Sequence, residues 1–151
     1  MDNYLFILFQ YLAPKKLISE VIGFFAKSQN YYIKTFFIKN FQKTYNVNLK
    51  EAIYEDVELY SSFNSFFTRE LKPESRPVDE NIHSIISPAD GVVSQIGNIN
   101  SGKIIQAKGV YFNLLSFLGN DKEYFKKLKD GLFSTIYLSP KDYHRVHMPI
   151  D

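Results

Sequence analysis

The chain has 151 residues, and 45% of them are hydrophobic, which is enough to bury the core of one ordinary domain and excludes wholesale disorder. Cysteine is absent, so a disulfide scaffold, a thiolate zinc site and a cysteine nucleophile are excluded. The formal net charge of +2 is too small to indicate a nucleic-acid partner.

The charge is distributed unevenly along the chain. Residues 1–50 carry seven lysines against two acids, a net of +5, whereas residues 51–151 carry eleven basic residues against fourteen acidic ones, a net of −3. A basic, aromatic-rich front followed by an acidic remainder predicts two functions on one chain.

The first element is an almost wholly apolar run of ten residues at positions 4–13. Such a run is too short to cross a bilayer as a helix, which takes about 20 residues. Because no basic region precedes the run and no small-residue cleavage site follows it, we expect neither a transmembrane helix nor a classical signal peptide.

Helical periodicity begins near residue 17 and predicts two amphipathic helices. Apolar residues recur at helical spacing in two sets, which are Leu17, Val21, Phe24 and Phe25, and then Tyr32, Phe36, Phe37 and Phe41. The flanks or opposite faces are expected to carry Lys27, Lys34, Lys39 and Lys43. This pattern is typical of a helix that lies in a lipid interface, but also of a helix that packs on a protein core, and periodicity leaves both interpretations open.

Residues 47–62 are predicted to form a linker with a short helix, and residues 61–65 carry a helix-start signal. Pro73 and Pro77 then interrupt regular structure. We therefore divide the chain into a helical region, residues 1–62, which we name the membrane-docking region after the first of the two interpretations above, and a β-rich domain, residues 63–151.

Short β-prone runs replace the helical pattern from about residue 84, which predicts an α+β fold with amphipathic helices first and a β-rich domain after them. The predicted strands are residues 85–86, 92–96, 103–107 and 133–138. Residues 111–129 are predicted to be helical, with a break at Gly119-Asn120. Three or four strands are few for an independent sheet, so we expect the domain to be incomplete in this chain.

Two features could carry chemistry. Asp90 lies in a predicted turn at residues 87–91, as either a plain turn residue or a carboxylate held to orient an imidazole. His144 and His147 lie three residues apart, which places them on one face of a helix but on opposite faces of a strand. They are either structural or surface histidines, or a proton donor and a general base, since imidazole titrates near neutral pH.

Other classes of site have weaker support. A zinc hydrolase that uses the two histidines with Asp90 is a third hypothesis, although without cysteine its further ligands would have to be carboxylates. No serine lies in a Gly-x-Ser-x-Gly setting, and the glycines are not spaced as in a phosphate-binding loop. His83 stands alone and is expected at the surface.

Four motifs are distributed along the chain. They are FFTREL at residues 66–71 with Arg76-Pro77, PADGVVSQIG at residues 88–97, QAKG at residues 106–109 and YLSPKDYHRVHMP at residues 137–149. Together they resemble the phosphatidylserine decarboxylase proenzyme family, the bacterial type in particular. The last motif is highly specific, and the resemblance extends over essentially the whole chain, including its front.

This family forms phosphatidylethanolamine by removing CO₂ from phosphatidylserine, with a pyruvoyl group that a serine of its own chain generates by self-cleavage. The resemblance implies that the substrate forms a Schiff base with this group, which serves as the electron sink. It assigns Asp90 and His147 to activation of the serine, and His144 to proton handling in the decarboxylation step.

The family's Leu-Gly-Ser-Thr type of cleavage motif is missing from this sequence, in which no Gly-Ser dipeptide occurs. We therefore expect an N-terminal portion of the proenzyme, inactive by itself, whose partner is a small pyruvoyl-bearing subunit; a homodimer is left open. The basic front is expected to dock on an anionic membrane, as a peripheral protein on the cytoplasmic side of the cell membrane. The alternative is a truncated, catalytically inactive lipid-binding module.

Overall fold

The computed structural model describes residues 13–81, 83–106 and 110–150. Contacts between Cα atoms divide the chain into two compact units, with the boundary between Glu80 and Asn81. In the described ranges, helices build the first unit, while antiparallel strand pairs and short helices build the second. The predicted α+β class, with the helices first, is confirmed.

Two long helices, α1 (Lys15–Lys27) and α2 (Tyr31–Tyr45), follow the predicted apolar spacing. Asn30 caps α2, because its side-chain oxygen accepts hydrogen bonds from two backbone N–H groups of the first turn. Asn46 ends the helix in the left-handed conformation, with a φ of 53°.

Some sequence predictions fall on residues that the structure does not describe. The apolar run at residues 4–13 lies outside the described residues except for its last position. Residues 107–109 also lie outside them: residue 107 ends a predicted strand, and all three belong to the QAKG motif. Among the residues that are described, no helix is long and apolar enough to span a membrane.

The core of the first unit joins α2, residues 47–60 and a third helix, α3 (Phe63–Phe67). Its buried members are Ile38, Val47, Leu49, Ala52, Tyr60 and Phe66. Ser62 and Ser65 form a capping box at the start of α3, where the sequence carries its helix-start signal.

The short helix predicted within residues 47–62 is reduced to one 3-10 turn, Val57–Leu59. Leu49 and Ala52 are buried in the core outside any helix, and Ala52 forms an isolated antiparallel bridge with Leu71. Burial of these apolar side chains therefore outweighs their weak helical spacing.

The division of the chain by contacts differs from the predicted division at residues 62 and 63. The rings of Phe63 and Phe66 pack edge to face on Phe41 of α2, with centroids 5.1 and 6.2 Å away. By contacts, α3 therefore belongs to the first unit. The C-terminal limit of the membrane-docking region stays a prediction.

The second unit contains two antiparallel strand pairs in its described part. β1 (Val92–Asn98) pairs with β4 (Leu132–Tyr137), with Val92 opposite Tyr137 and a register shift between Val93 and Gln95. β2 (Lys103–Gln106) pairs with β3 (Val110–Asn113). The strands predicted at residues 92–96 and 133–138 are therefore present.

The helix predicted over residues 111–129 is wrong at its start, because Tyr111 and Phe112 lie in β3. These aromatic residues suit a strand, and pairing with β2 decides their conformation. Helices α4 (Leu114–Phe117) and α5 (Lys122–Leu128) follow, separated by the predicted break at Gly119-Asn120, where both residues have positive φ.

Candidate catalytic site

Two short segments of the second unit, residues 86–88 and 147–149, lie side by side in antiparallel register. The backbone N–H of Ile86 donates to the carbonyl of Pro149 at 3.0 Å, and that of His147 donates to the carbonyl of Pro88 at 2.8 Å. Proline has no backbone N–H, so neither Pro149 nor Pro88 can donate a second hydrogen bond to its partner. Each opposed pair therefore has one hydrogen bond, where a hydrogen-bonded pair of a regular antiparallel ladder has two. This explains why the strand predicted at residues 85–86 does not form.

Asp90 lies two residues beyond Pro88, half-buried in a bend that leads into β1. The Ser87 hydroxyl donates to the carbonyl of Ala89 at 2.8 Å and closes the bend locally. The next residue, Gly91, passes so close to β4 that a Cβ there would lie 2.5 Å from the backbone oxygen of Tyr137. The Asp90 bend is thus fixed against β4. It continues the segment that adjoins residues 139–149, which carry His144 and His147 and which we call the histidine segment.

His144 is half-buried, and its Nε2 lies 3.0 Å from the carbonyl oxygen of Ser139. A carbonyl oxygen only accepts hydrogen bonds, so Nε2 carries the proton and the lone pair of the neutral ring is on Nδ1. The same carbonyl accepts the backbone N–H of Asp142 at 2.9 Å, so the ring is tied to the tight turn over residues 139–142.

Asp142 stabilises this turn with its side chain as well, because its Oδ2 accepts the backbone N–H of Ser139 at 2.6 Å. Burial raises the pKa of Asp142, but hydrogen bonding from Ser139 and the positive charges of Lys141 and His144 outweigh burial. The pKa of Asp142 therefore lies below its ordinary value, and the carboxylate stays charged near His144.

His147 has a different environment, since its ring is exposed and stacks on the buried ring of Tyr143. The two ring planes are inclined by 20°, with centroids 5.6 Å apart. The Tyr143 hydroxyl oxygen lies 2.9 Å from Nε2 of His147. One aromatic side chain thus lies nearly parallel to the imidazole and contacts one of its nitrogens.

Residues 143–148 form neither helix nor strand, so neither face assignment for the two histidines applies. The sequence interpretation assigned no role to Ser139, Asp142 or Tyr143, although all three lie in the quoted motif. Tyr143 stands four residues before His147, but that spacing predicts contact only on a helix. The signal for these residues was therefore the motif itself and not any periodicity.

Two further candidates can be placed. His83 is exposed, as expected, and its backbone N–H donates to the side-chain oxygen of Asn81 at 2.9 Å. In the part of the chain that the structure describes, no group of three or more His, Cys, Asp or Glu side chains could hold a metal ion.

Comparison with known proteins identifies the family. The family described as "Phosphatidylserine decarboxylase" matches residues 63–151, which include Asp90 and both histidines, and a second family, described as "PSD", matches residues 5–46. The chain belongs to the phosphatidylserine decarboxylase family. The resemblance drawn from the four motifs is confirmed.

Curated relatives agree over nearly the whole chain. Phosphatidylserine decarboxylase proenzymes of Hahella chejuensis, Pseudomonas putida (strain W619) and Shewanella amazonensis are 51, 50 and 48% identical over 147, 150 and 144 residues. The alignments cover 97, 99 and 95% of this chain, but 50, 52 and 50% of the relatives. The chain therefore spans about half the length of the curated relatives it matches.

Proposed function

We propose that this chain is the N-terminal part of a phosphatidylserine decarboxylase, a carboxy-lyase that converts phosphatidylserine to phosphatidylethanolamine and CO₂. Beyond family membership, the supporting observation is the hydrogen bond from His147 to Pro88, which joins the histidine segment to the segment that bears Asp90. A carboxylate and an imidazole on adjoining segments are the groups that a serine hydroxyl needs to become a nucleophile.

In the proposed self-cleavage, His147 takes the hydroxyl proton of a serine, while Asp90 orients the imidazole and stabilises its charged form. The exposed ring of His147 is accessible to a serine from elsewhere in the protein. Because these 151 residues contain no Gly-Ser dipeptide, we assign the serine to the half of the relatives' length that the chain does not span.

We propose that the family's pyruvoyl group, formed from that serine, acts beside His144, whose half-buried imidazole can exchange a proton at Nδ1. When bound, the group supplies the electron-withdrawing carbonyl that accepts the charge left by CO₂. His144, whose lone pair is assigned to Nδ1 by its contact with Ser139, is the residue proposed to take a proton from solvent at Nδ1 and to donate it to the carbon that CO₂ leaves.

The catalytic assignment is tested with the complete coding sequence, read beyond codon 151. His147→Ala is expected to block self-cleavage, seen as a single uncleaved band on a denaturing gel. His144→Ala is expected to cleave but to form no phosphatidylethanolamine from phosphatidylserine vesicles. His83→Ala is the matched control, since this exposed histidine lies outside the site, and it should behave as wild type.

Outcomes other than these contradict a specific part of the proposal. Wild-type cleavage by His147→Ala refutes the role of His147, and normal product formation by His144→Ala refutes that of His144. A wild-type protein that binds vesicles but neither cleaves nor decarboxylates supports the alternative, a catalytically inactive lipid-binding module.

We also propose that α1 and α2 dock on an anionic, phosphatidylserine-containing membrane from its cytoplasmic side. α1 has no buried residue, and the side chains of Phe24, Tyr32 and Phe36 are 74, 80 and 67% exposed. An open apolar groove of about 300 Å³ is lined by Phe25, Tyr32, Ile33, Phe36 and Phe37. A contiguous exposed apolar surface of this kind is typical of a membrane or protein contact.

The lysines of the two helices differ in their contacts. Lys34 donates to the backbone carbonyls of Glu58, at 2.9 Å, and Tyr60, and Lys39 lies 3.8 Å from the Glu58 carboxylate. These contacts are internal to the first unit. The lysines proposed to meet anionic head groups, at about 1 kcal/mol each, are therefore the exposed Lys15, Lys16 and Lys27 of α1 and Lys43 of α2.

Vesicle co-sedimentation tests the docking. Removing residues 1–45 would also remove the core residue Ile38, so point variants are the sharper choice. The double variant Phe24→Ser/Phe36→Ser should bind at least tenfold more weakly, because full burial of one Phe side chain is worth about 1.5–3 kcal/mol. Phe117→Ser, at an equally exposed phenylalanine of the second unit, is the control; equal binding by the double variant and this control contradicts the docking proposal.

The remaining half of the protein, which includes the pyruvoyl-bearing subunit, is proposed to cover the β1–β4 pair. Val92, Ile96, Leu132 and Tyr137 are between 61 and 76% exposed, although strand residues of this type are usually buried. Amide hydrogen exchange in β1 and β4 should be slower in the complete protein than in this chain. Equal exchange in both would contradict this arrangement and favour another partner, such as a second copy.

A further inference from the structure

Tyr143 contacts His147 through its hydroxyl group, and its ring lies nearly parallel to the imidazole. Its side chain is only 8% exposed, whereas the His147 ring is exposed. The buried ring is therefore the better fixed member of the pair. We propose that Tyr143 is a positioning residue that sets the orientation and the tautomer of His147, an inference that rests on the proposed role of His147 as a base.

The direction of the hydrogen bond follows from the chemistry of the two groups. A phenol, with an ordinary pKa of about 10, is a far better proton donor than the N–H of a neutral imidazole. An imidazole nitrogen with a lone pair is in turn a better acceptor than a phenol oxygen. Tyr143 therefore donates to Nε2 of His147, over the 2.9 Å that separates the two atoms.

This direction determines where the proton of the neutral ring lies. If Nε2 accepts from Tyr143, the ring proton of His147 is on Nδ1. In a serine triad, the same arrangement is required, because the carboxylate accepts from Nδ1–H while Nε2 takes the hydroxyl proton. Tyr143 thus holds His147 in the tautomer in which Nδ1–H can donate to the Asp90 carboxylate and Nε2 can accept a proton.

Tyr143 also explains how this tautomer can be held before a serine is in place. The serine hydroxyl would replace the Tyr143 hydroxyl at Nε2, and one O–H to nitrogen hydrogen bond would be exchanged for another. Such an exchange is close to neutral in free energy, so the hydrogen bond from Tyr143 would not oppose the reaction. The stacked contact persists through the exchange and keeps the plane of the ring.

The two neighbouring histidines are thereby set in opposite tautomers by their partners. His144 carries its proton on Nε2, because a backbone carbonyl accepts from it. His147 carries its proton on Nδ1, because a hydroxyl donates to its Nε2. This difference provides an internal reference for the test.

Nitrogen-15 NMR of the histidine rings tests the proposal in the 151-residue chain. At about two pH units above the usual pKa of imidazole, we expect Nδ1–H for His147 and Nε2–H for His144 in the wild type. Tyr143→Phe keeps the stacked ring and removes the hydroxyl, so His147 should shift toward the Nε2–H form while His144 stays unchanged. Tyr124→Phe, at an exposed tyrosine of α5, should change neither ring.

Self-cleavage of the complete protein provides the second readout. Tyr143→Phe should cleave about fivefold more slowly, because a smaller fraction of His147 is then in the tautomer that can take the serine proton. Tyr143→Leu, which also loses the stacked ring, should be slower still, with Tyr124→Phe again at the wild-type rate.

The outcomes separate the two proposals. An Nε2–H tautomer of His147 in the wild type, or no change of tautomer in Tyr143→Phe, overturns the inference, and so does a wild-type cleavage rate in Tyr143→Phe. If the complete wild-type protein does not cleave at all, the proposed function fails, while the tautomer measurement still decides whether Tyr143 sets the state of His147.

Discussion

Gly91 connects the Asp90 bend to β1 at a point where the backbone passes against β4. A Cβ at this position would lie 2.5 Å from the Tyr137 carbonyl oxygen and 2.9 Å from the Ile136 side chain. Because the first of these neighbours is backbone, it cannot rotate away. The geometry of the Asp90 bend therefore depends on the absence of a side chain at its last residue.

Gly91→Ala is expected to lower the free energy of unfolding by about 1–3 kcal/mol, the usual cost of forcing an extra carbon into a closed space. Gly97→Ala, within β1, is the matched control, since its Cβ would meet only the edge of the Phe133 ring at 3.4 Å. Urea unfolding of both variants measures the difference. Equal stability of the two variants would show that the bend can move away from β4.

Asp142 makes the stability of the histidine segment depend on pH. Its pKa is lowered in the folded state, so its contribution to stability is present above its unfolded pKa, near the ordinary value of 3.8, and is lost as the pH falls through the lowered value. Asp142→Asn should therefore be less stable than wild type at neutral pH, by less than about 1 kcal/mol because solvent screens a carboxylate that is only half-buried.

The gap between wild type and Asp142→Asn should close as the solution is acidified from above the ordinary value of 3.8 through the lowered folded pKa. Urea unfolding at neutral and acidic pH measures this gap. A gap that stays constant with pH would show that the substituted amide destabilises the turn through its shape and not through the loss of charge.

Among the elements, the helices and the β1–β4 pair could be predicted because their signals are local. Apolar side chains recur at helical spacing in α1 and α2, and the runs in β1 and β4 are β-prone. The errors fall where pairing with a distant segment decides the conformation. Residues 111–112 have apolar neighbours at a spacing that suits a helix, yet they pair with β2.

The capping box of α3 is an element whose sequence signal and structure agree. Ser62 is buried, its hydroxyl accepts the backbone N–H of Ser65 at 3.1 Å, and α3 carries the fully buried Phe66. Ser62→Ala should cost about 1 kcal/mol of unfolding free energy, as at other helix caps. Ser116→Ala, at an exposed serine of α4, should change thermal stability little; an equal loss in both would argue that the cap adds nothing.

At the scale of the whole molecule, the boundary between the two units predicts where a protease attacks first. Residues 77–80 are exposed and lie outside regular structure, immediately before the boundary at Glu80. Such segments are the usual sites of limited proteolysis. A glutamate-specific protease should therefore cut after Glu80 early and release two stable fragments, identified by mass spectrometry; early cleavage after Glu58, within the first unit, would contradict this division.

The sequence by itself determined the family, the order of helices before strands, and the identity of Asp90, His144 and His147 as candidates, because motifs and local periodicity are properties of neighbouring residues. Only the tertiary structure decided that the segments bearing Asp90 and His147 adjoin, through two backbone hydrogen bonds, from Ile86 to Pro149 and from His147 to Pro88, whose partners are 63 and 59 residues apart in sequence. It also decided which partner holds each imidazole. The physical reason is that residues 143–148 have no regular structure, so the three-residue spacing of the histidines does not predict how their rings are oriented. The hydrogen bonds with Ser139 and Tyr143 determine that orientation.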